Sequence, residues 1–181
     1  MGRAKAELAL GGETMLARQV RLLRAVCRSV AVVGLGEKAS GVDVHAWPDV
    51  IPGRGPLGGI YTGLLHARTE FSFFLGCDLP FLEVRFLEFL LIRARQGQAD
   101  VTIPEARDRR LQPVCAVYRR RALALARLRL NADLNKTQDL IRRLHCEVVS
   151  WPEIARGGFA PRLLANMNVP EQYESAKRML K

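Results

Sequence analysis

The chain has 181 residues, 49% of them apolar, with 28 basic against 18 acidic side chains and a formal net charge of +10. That length and apolar content are enough for one domain over 1–181 with a proper core, and no apolar run approaches the roughly 20 residues of a membrane span or forms a secretory leader, so the expected location is the cytoplasm. Cys27, Cys77, Cys115 and Cys146 lie far apart with no CxxC pair and read as buried free thiols in preference to a metal or redox role, and His45, His66 and His145 are isolated, which removes the basis for a histidine-based zinc site or a Ser/His/Asp triad.

Between Met15 and Cys27, Leu16, Val20, Leu23 and Cys27 recur at three- and four-residue steps and predict a helix, with Arg18, Arg21, Arg24 and Arg28 off its apolar face. SVAVVGLG, residues 29–36, predicts a short buried strand, and 42–47 a second one. DVIPGRGPLGG then feeds a helix over about 57–67, with Pro56 at its first turn, where no amide is needed. FSFFLGCDLP, residues 71–80, predicts another buried strand. Val84, Leu87, Leu90, Leu91 and Ala94 give a helix over 83–95. ADVTIP and LQPVCAVY, on either side of EARDRR, predict an antiparallel pair. Helices over about 121–130 and 137–144, the strand CEVVSW and a terminal helix from near Glu171 complete the chain. Strands alternating with helices imply a layered α/β domain: a mostly parallel sheet, helices on both faces and ligands at the carboxyl ends of the strands.

Two segments carry candidate chemistry. Asp78 falls where the apolar strand from Phe71 should leave the sheet, so it is either a ligand for Mg²⁺, which takes a few hard oxygen donors, or a cap for the next turn. The loop from Asp49 to Gly59 has glycines at 53, 55, 58 and 59 and runs into a helix N-terminus. Such a segment suits an anion, Arg54 adds a fixed positive charge, and a merely tight connection is the alternative. Of the 28 basic residues 23 are arginine. The densest stretch, Arg107 to Ala122, lacks aromatics interleaved for stacking bases, so a solvated surface or an attraction for polyphosphates explains it as well.

In order and spacing, MGRAK, LGG before a helix, D-x-x-P-G-x-G-P-L-G-G-I, F-L-G-C-D-L-P-F, Q-P-V-C-A-V-Y and N-M-N-V-P-E resemble the molybdenum cofactor guanylyltransferase family over essentially the whole chain. GPLGG is more similar to the guanylyl than to the related cytidylyl branch. The resemblance implies a three-layer, Rossmann-like nucleotidyltransferase fold with a mixed, mostly parallel sheet. It also implies transfer of GMP from GTP to the terminal phosphate of molybdenum-molybdopterin, with release of pyrophosphate. Carried over by position, Asp78 holds Mg²⁺ against the triphosphate and Lys5 reaches the phosphates. Asp49 belongs to the nucleotide site, Gly55, Pro56, Leu57 and Gly58 shape its wall, and Asn166 and Asn168 face the pterin or the reacting phosphates. Taken without the resemblance, Lys5 reads as a surface lysine and the asparagines as a turn. The implied partners are the two substrates and, transiently, other cofactor-biosynthesis proteins, with no specific nucleic acid and no membrane.

The family pattern opens with a first strand and a glycine-rich loop, L-A-G-G-x-S-x-R-M-G-x-x-K, of which this sequence contains M-G-x-x-K. Such a strand usually lies in the middle of the sheet, and its loss strands backbone donors and acceptors on two neighbours. The expectation is a start a dozen or more residues upstream, by analogy with layered α/β folds. The alternatives are a catalytically impaired nucleotide-binding relative, a nucleic-acid binder, and a sibling transferase using CTP or another acceptor.

Overall fold

The computed structural model describes residues 2–35, 41–167 and 169–179. After the short helix α1 (Gly2–Glu7), Gly11 and Gly12 take φ of 60° and 85°. That left-handed pair closes a tight hairpin between β1 (Ala9–Leu10) and β2 (Glu13–Thr14). Thr14 then accepts a hydrogen bond from the Ala17 amide at 3.1 Å and caps α2 (Met15–Val26). The LGG element is therefore a turn that delivers the chain into the first long helix.

The larger sheet runs β5 (Phe71–Leu75), β7 (Cys115–Arg119), β6 (Val101–Pro104), β8 (Cys146–Val149). β6 and β8 are parallel, and β7 is antiparallel to both β5 and β6, so three strands share a direction and β7 is reversed between them. A separate parallel pair, β3 (Ala31–Val33) and β4 (His45–Trp47), forms a second sheet. Among the described residues no ladder joins β3 to β5.

This split corrects two expectations. SVAVV and FSFFL were predicted as buried strands, yet every residue of β5 and two of the three in β3 are only half-buried. The reason is geometric: each pairs along one edge only among the described residues, so its flank keeps contact with water.

Helices cover both faces of the larger sheet. On one, Leu22 of α2 and Phe86, Leu87 and Leu90 of α4 (Val84–Gln96) pack on Cys115, Val117 and Val149. On the other, α3 (Gly55–His66), α5 (Ala122–Asn131) and α6 (Thr137–Ile141) cover Val101, Ile103, Ala116 and Tyr118. The alternation along β7, Cys115 and Val117 to one side and Ala116 and Tyr118 to the other, is the period-2 pattern of a strand buried on both faces. CEVVSW ends as a strand at Val149, because Ser150 and Glu153 form a capping box that starts α7 (Trp151–Arg156). The last helix, α8, spans Pro170–Met179.

α3 sits close to β5 because Gly63 has no side chain. A Cβ there would lie 2.5 Å from Phe74 Cε1, and that ring stands edge-on to Tyr118 with centroids 5.3 Å apart. An exposed mid-helix glycine gains about 1 kcal/mol on replacement by alanine. Here crowding reverses the sign, and Gly63→Val is expected to lower unfolding free energy by about 1–3 kcal/mol in urea titrations.

The arginine-rich stretch is in part structural. Arg119 donates to the carbonyls of Ala99 at 3.0 Å and Gly97 at 2.7 Å, pairs with Glu70, and stacks 4.4 Å from the Phe71 ring centroid. It thereby satisfies carbonyls in the connection that follows α4. Arg120 donates to the Ala67 carbonyl, and Arg121 pairs with Asp100.

Candidate active site

β5 runs apolar to Leu75, and the chain then leaves the sheet through Gly76 and Cys77 to Asp78. The Asp78 carboxyl is half-buried, and loss of water raises its pKa, while the nearby Lys5 ammonium and the residue's own amide pull it down. Lys5 arrives from α1.

The backbone around Asp78 is held from two directions. Behind it, Gln19 Nε2 donates to the Leu79 carbonyl at 3.0 Å and Arg18 Nε to the Pro80 carbonyl at 2.8 Å, so α2 fixes the D-L-P turn. From the other end of the chain, the Met167 amide donates to the Asp78 carbonyl at 2.7 Å. That bond draws Asn166 and Met167 against the strand end. Asn166, next to it, has a buried Oδ1 with no hydrogen-bond partner among the described residues. A buried acceptor in that state is costly unless something supplies a donor. The structure thus brings Lys5, Asp78 and Asn166 together from three distant stretches; Asn168 lies outside the described residues.

Asp49 stands at the carboxyl side of β4. Its Oδ2 is 3.1 Å from where a Cβ on Gly34 would be, and Gly34, at φ 84°, ends β3. Asp49 Oδ1 is buried without a partner among the described residues, and burial raises this carboxyl's pKa. Asp49 therefore belongs to the small sheet and Asp78 to the large one. Cys77 packs against the cluster of Ala6, Leu16, Val20 and Val32 and links the two regions.

In the glycine-rich loop the observed helix starts at Gly55, earlier than the predicted 57, with Pro56 in its first turn as expected. Gly55 and Pro56 are exposed, whereas Leu57 is fully buried in the core and Gly58 is buried beneath Arg54. Leu57 and Gly58 can offer a ligand only backbone. Arg54 departs from the expected charge beside an anion: its guanidinium pairs with Asp133 and donates to Asn135 Oδ1 at 3.2 Å, tying the loop to the end of α5.

Among the described residues no three His, Cys, Asp or Glu side chains gather into a metal cluster. One half-buried carboxylate at a strand end does match Mg²⁺, which keeps several waters and shares its remaining positions with substrate phosphates. The thiols are free, and burial raises all four pKa values, Cys77 to about 11 with a contribution from Asp78, so they are poor nucleophiles. Among the described residues no helix is long and apolar enough to cross a membrane.

Sequence reasoning missed Gln19, Arg18, Gly34 and the Met167 amide. Gln19 had a usable signal: it lies three residues after Leu16 and four before Leu23, a polar group on an apolar helical stripe, and it is 2% exposed. The other three depend on contacts between remote segments and carry no local mark.

The family profile described as MobA-like NTP transferase domain matches residues 1–148. A molybdenum cofactor guanylyltransferase of Desulfosudis oleivorans is 28% identical, the alignment covering 99% of this chain and 89% of that protein. A probable molybdenum cofactor guanylyltransferase of Chloroflexus aggregans is 32% identical over 99% of this chain and 88% of its own. The crystal structure of molybdopterin-guanine dinucleotide biosynthesis protein A from Archaeoglobus fulgidus superimposes with a TM-score of 0.81 at 20% identity, covering 97% of this chain and 89% of that one.

Proposed function

The chain belongs to the MobA-like NTP transferase family, and from that premise we propose that it transfers GMP from GTP to the terminal phosphate of molybdenum-molybdopterin. A phosphate oxygen of the acceptor bonds to the α-phosphorus of GTP, the bond to the bridging oxygen breaks, and pyrophosphate leaves with that oxygen. The observation that carries this reading is the meeting of Lys5, Asp78 and the Asn166–Met167 backbone at the carboxyl end of β5, together with the names of the relatives aligned over nearly the whole chain.

The nucleophile is already ionised near neutral pH, so the step needs positioning and charge stabilisation more than a general base. Lys5 supplies a mobile point charge for the phosphates. Asp78 would hold Mg²⁺, which when bound neutralises charge gathering on the triphosphate. Asn166 presents an amide acceptor and donor toward the pterin or the reacting phosphates, and Asn168 is assigned to the same side. Asp49 serves the nucleotide site, and Gly55, Pro56, Leu57 and Gly58 form its wall. Other cofactor-biosynthesis proteins are proposed as transient partners.

The test is pyrophosphate release and dinucleotide formation from Mg·GTP and molybdenum-molybdopterin, with CTP as competitor. Turnover with GTP and weak competition by CTP are expected; preferred use of CTP would reassign the chain to the sibling activity. Lys5→Ala is expected to lower kcat/KM for GTP by about 100-fold, and unchanged kinetics would return Lys5 to the surface. A second reading is a nucleotide binder with impaired chemistry. Tight GTP binding without pyrophosphate release would select it.

A further inference from the structure

We propose that the groove between α3 and α5 is a docking surface for an acidic amphipathic helix of a partner protein. The first ground is how α5 distributes its side chains. Its core-facing positions hold Ala122, Ala126 and Leu130, all buried, while the bulkier Leu128 is 63% exposed and Leu123 half-buried. A helix with only a core to cover places its large apolar groups inward; α5 does so with Leu130 and packs Leu123 and Leu125 partly against the core, but it leaves Leu128 on the outer side. Leu65 of α3, 40% exposed, faces the same groove, a depression of about 880 Å³ that is open to solvent and lined by Tyr61, Leu123, Leu128, Arg120 and Arg127 among others. An apolar trough of this kind with a polar rim is the form taken by helix-binding surfaces.

Charge selects the occupant. None of the lining residues is acidic. Arg120 reaches back to the Ala67 carbonyl, but Arg127 is exposed and engages no carboxylate or carbonyl among the described residues. On a chain of net charge +10, a second copy meeting this face about a twofold axis would bring the same arginines together. A helix with leucines along one stripe and glutamates beside it satisfies both the trough and the rim. This surface involves none of the residues assigned to the reaction, so its test is independent of the proposed activity.

The experiment uses the full chain and a fluorescein-labelled designed helix of about four turns, with leucines at i, i+3, i+4 and i+7 and flanking glutamates. Controls are a scrambled peptide of the same composition and one with lysine for glutamate. Anisotropy titrations are expected to show the patterned helix binding at least about tenfold tighter than the scramble, with Leu128→Asp removing that difference. Arg127→Glu is expected to weaken binding about threefold or more and to flatten its salt dependence. Both positions are exposed, and circular dichroism confirms folding of each variant. Equal affinity for patterned and scrambled peptides, or binding that survives Leu128→Asp, would overturn the proposal. So would a dimer in sedimentation velocity that Leu128→Asp dissolves, since that makes the occupant a second copy.

Discussion

Asp78→Asn is expected to cut Mg²⁺-dependent turnover by about a hundred- to a thousandfold and, in the same protein, to raise folding stability at neutral pH. The two effects share one cause. The proposed function assigns this carboxyl to a cation and a triphosphate, and its half-buried site raises its pKa because lost hydration outweighs the Lys5 ammonium and the residue's own amide. For an acid whose folded pKa exceeds its unfolded value of about 3.9, the native state binds the proton more tightly. The resulting contribution to stability is fully present below the unfolded pKa and is lost as pH rises through the folded one. Asparagine keeps the shape and never ionises, so it escapes that loss. Urea titrations without Mg²⁺ should therefore show the variant ahead of the parent at pH 7, with the gap closing toward pH 4. Added Mg²⁺ and GTP should stabilise the parent more than the variant, which keeps the rest of the nucleotide site. Retained turnover in saturating Mg²⁺ would remove Asp78 from the metal role. A stability difference that ignores pH would show that its ionisation costs the fold nothing.

What the sequence disclosed about this arrangement was local. Pro56 marked the first turn of α3, the ADVTIP and LQPVCAVY runs paired antiparallel as β6 and β7, and the apolar run ending before Asp78 placed that carboxylate at a strand end. The order of strands was not legible. β7 inserts between β5 and β6, and its pairing with β5 joins segments remote in sequence that leave no local mark of meeting. Arg54 shows the same limit in a side chain. Glycines around it suggested an anion, but its partners, Asp133 and Asn135, come from the far end of α5. The juxtaposition of Lys5, Asp78 and Asn166 came from the resemblance and not from spacing, because three segments so far apart leave no periodic trace of meeting.

Joining a short apolar strand and a glycine turn, of the L-A-G-G type, ahead of Gly2 is expected to raise unfolding free energy by about 2–5 kcal/mol, a large share of the usual 5–15. α3 packs against both β3 and β5, yet no ladder connects those strands among the described residues. Phe71, Phe73, Phe74 and Leu75 remain half-buried, as do Ala31 and Val33, and Ser72 Oγ is buried without a partner among the described residues. An added strand lying between β3 and β5 would pair with backbone groups on both edges and cover these side chains on both faces. Two controls separate that from a generic tether effect. A Gly/Ser segment of equal length should give no gain, and a proline in the middle of the added strand should abolish most of it, because proline cannot donate to a ladder. Amide exchange should slow in β5 and β3 together. Slowing in β5 alone would mean that the added strand merely extends the larger sheet and that β3 is not the other wall of the slot. Equal stabilisation by the Gly/Ser segment would mean that no slot is filled.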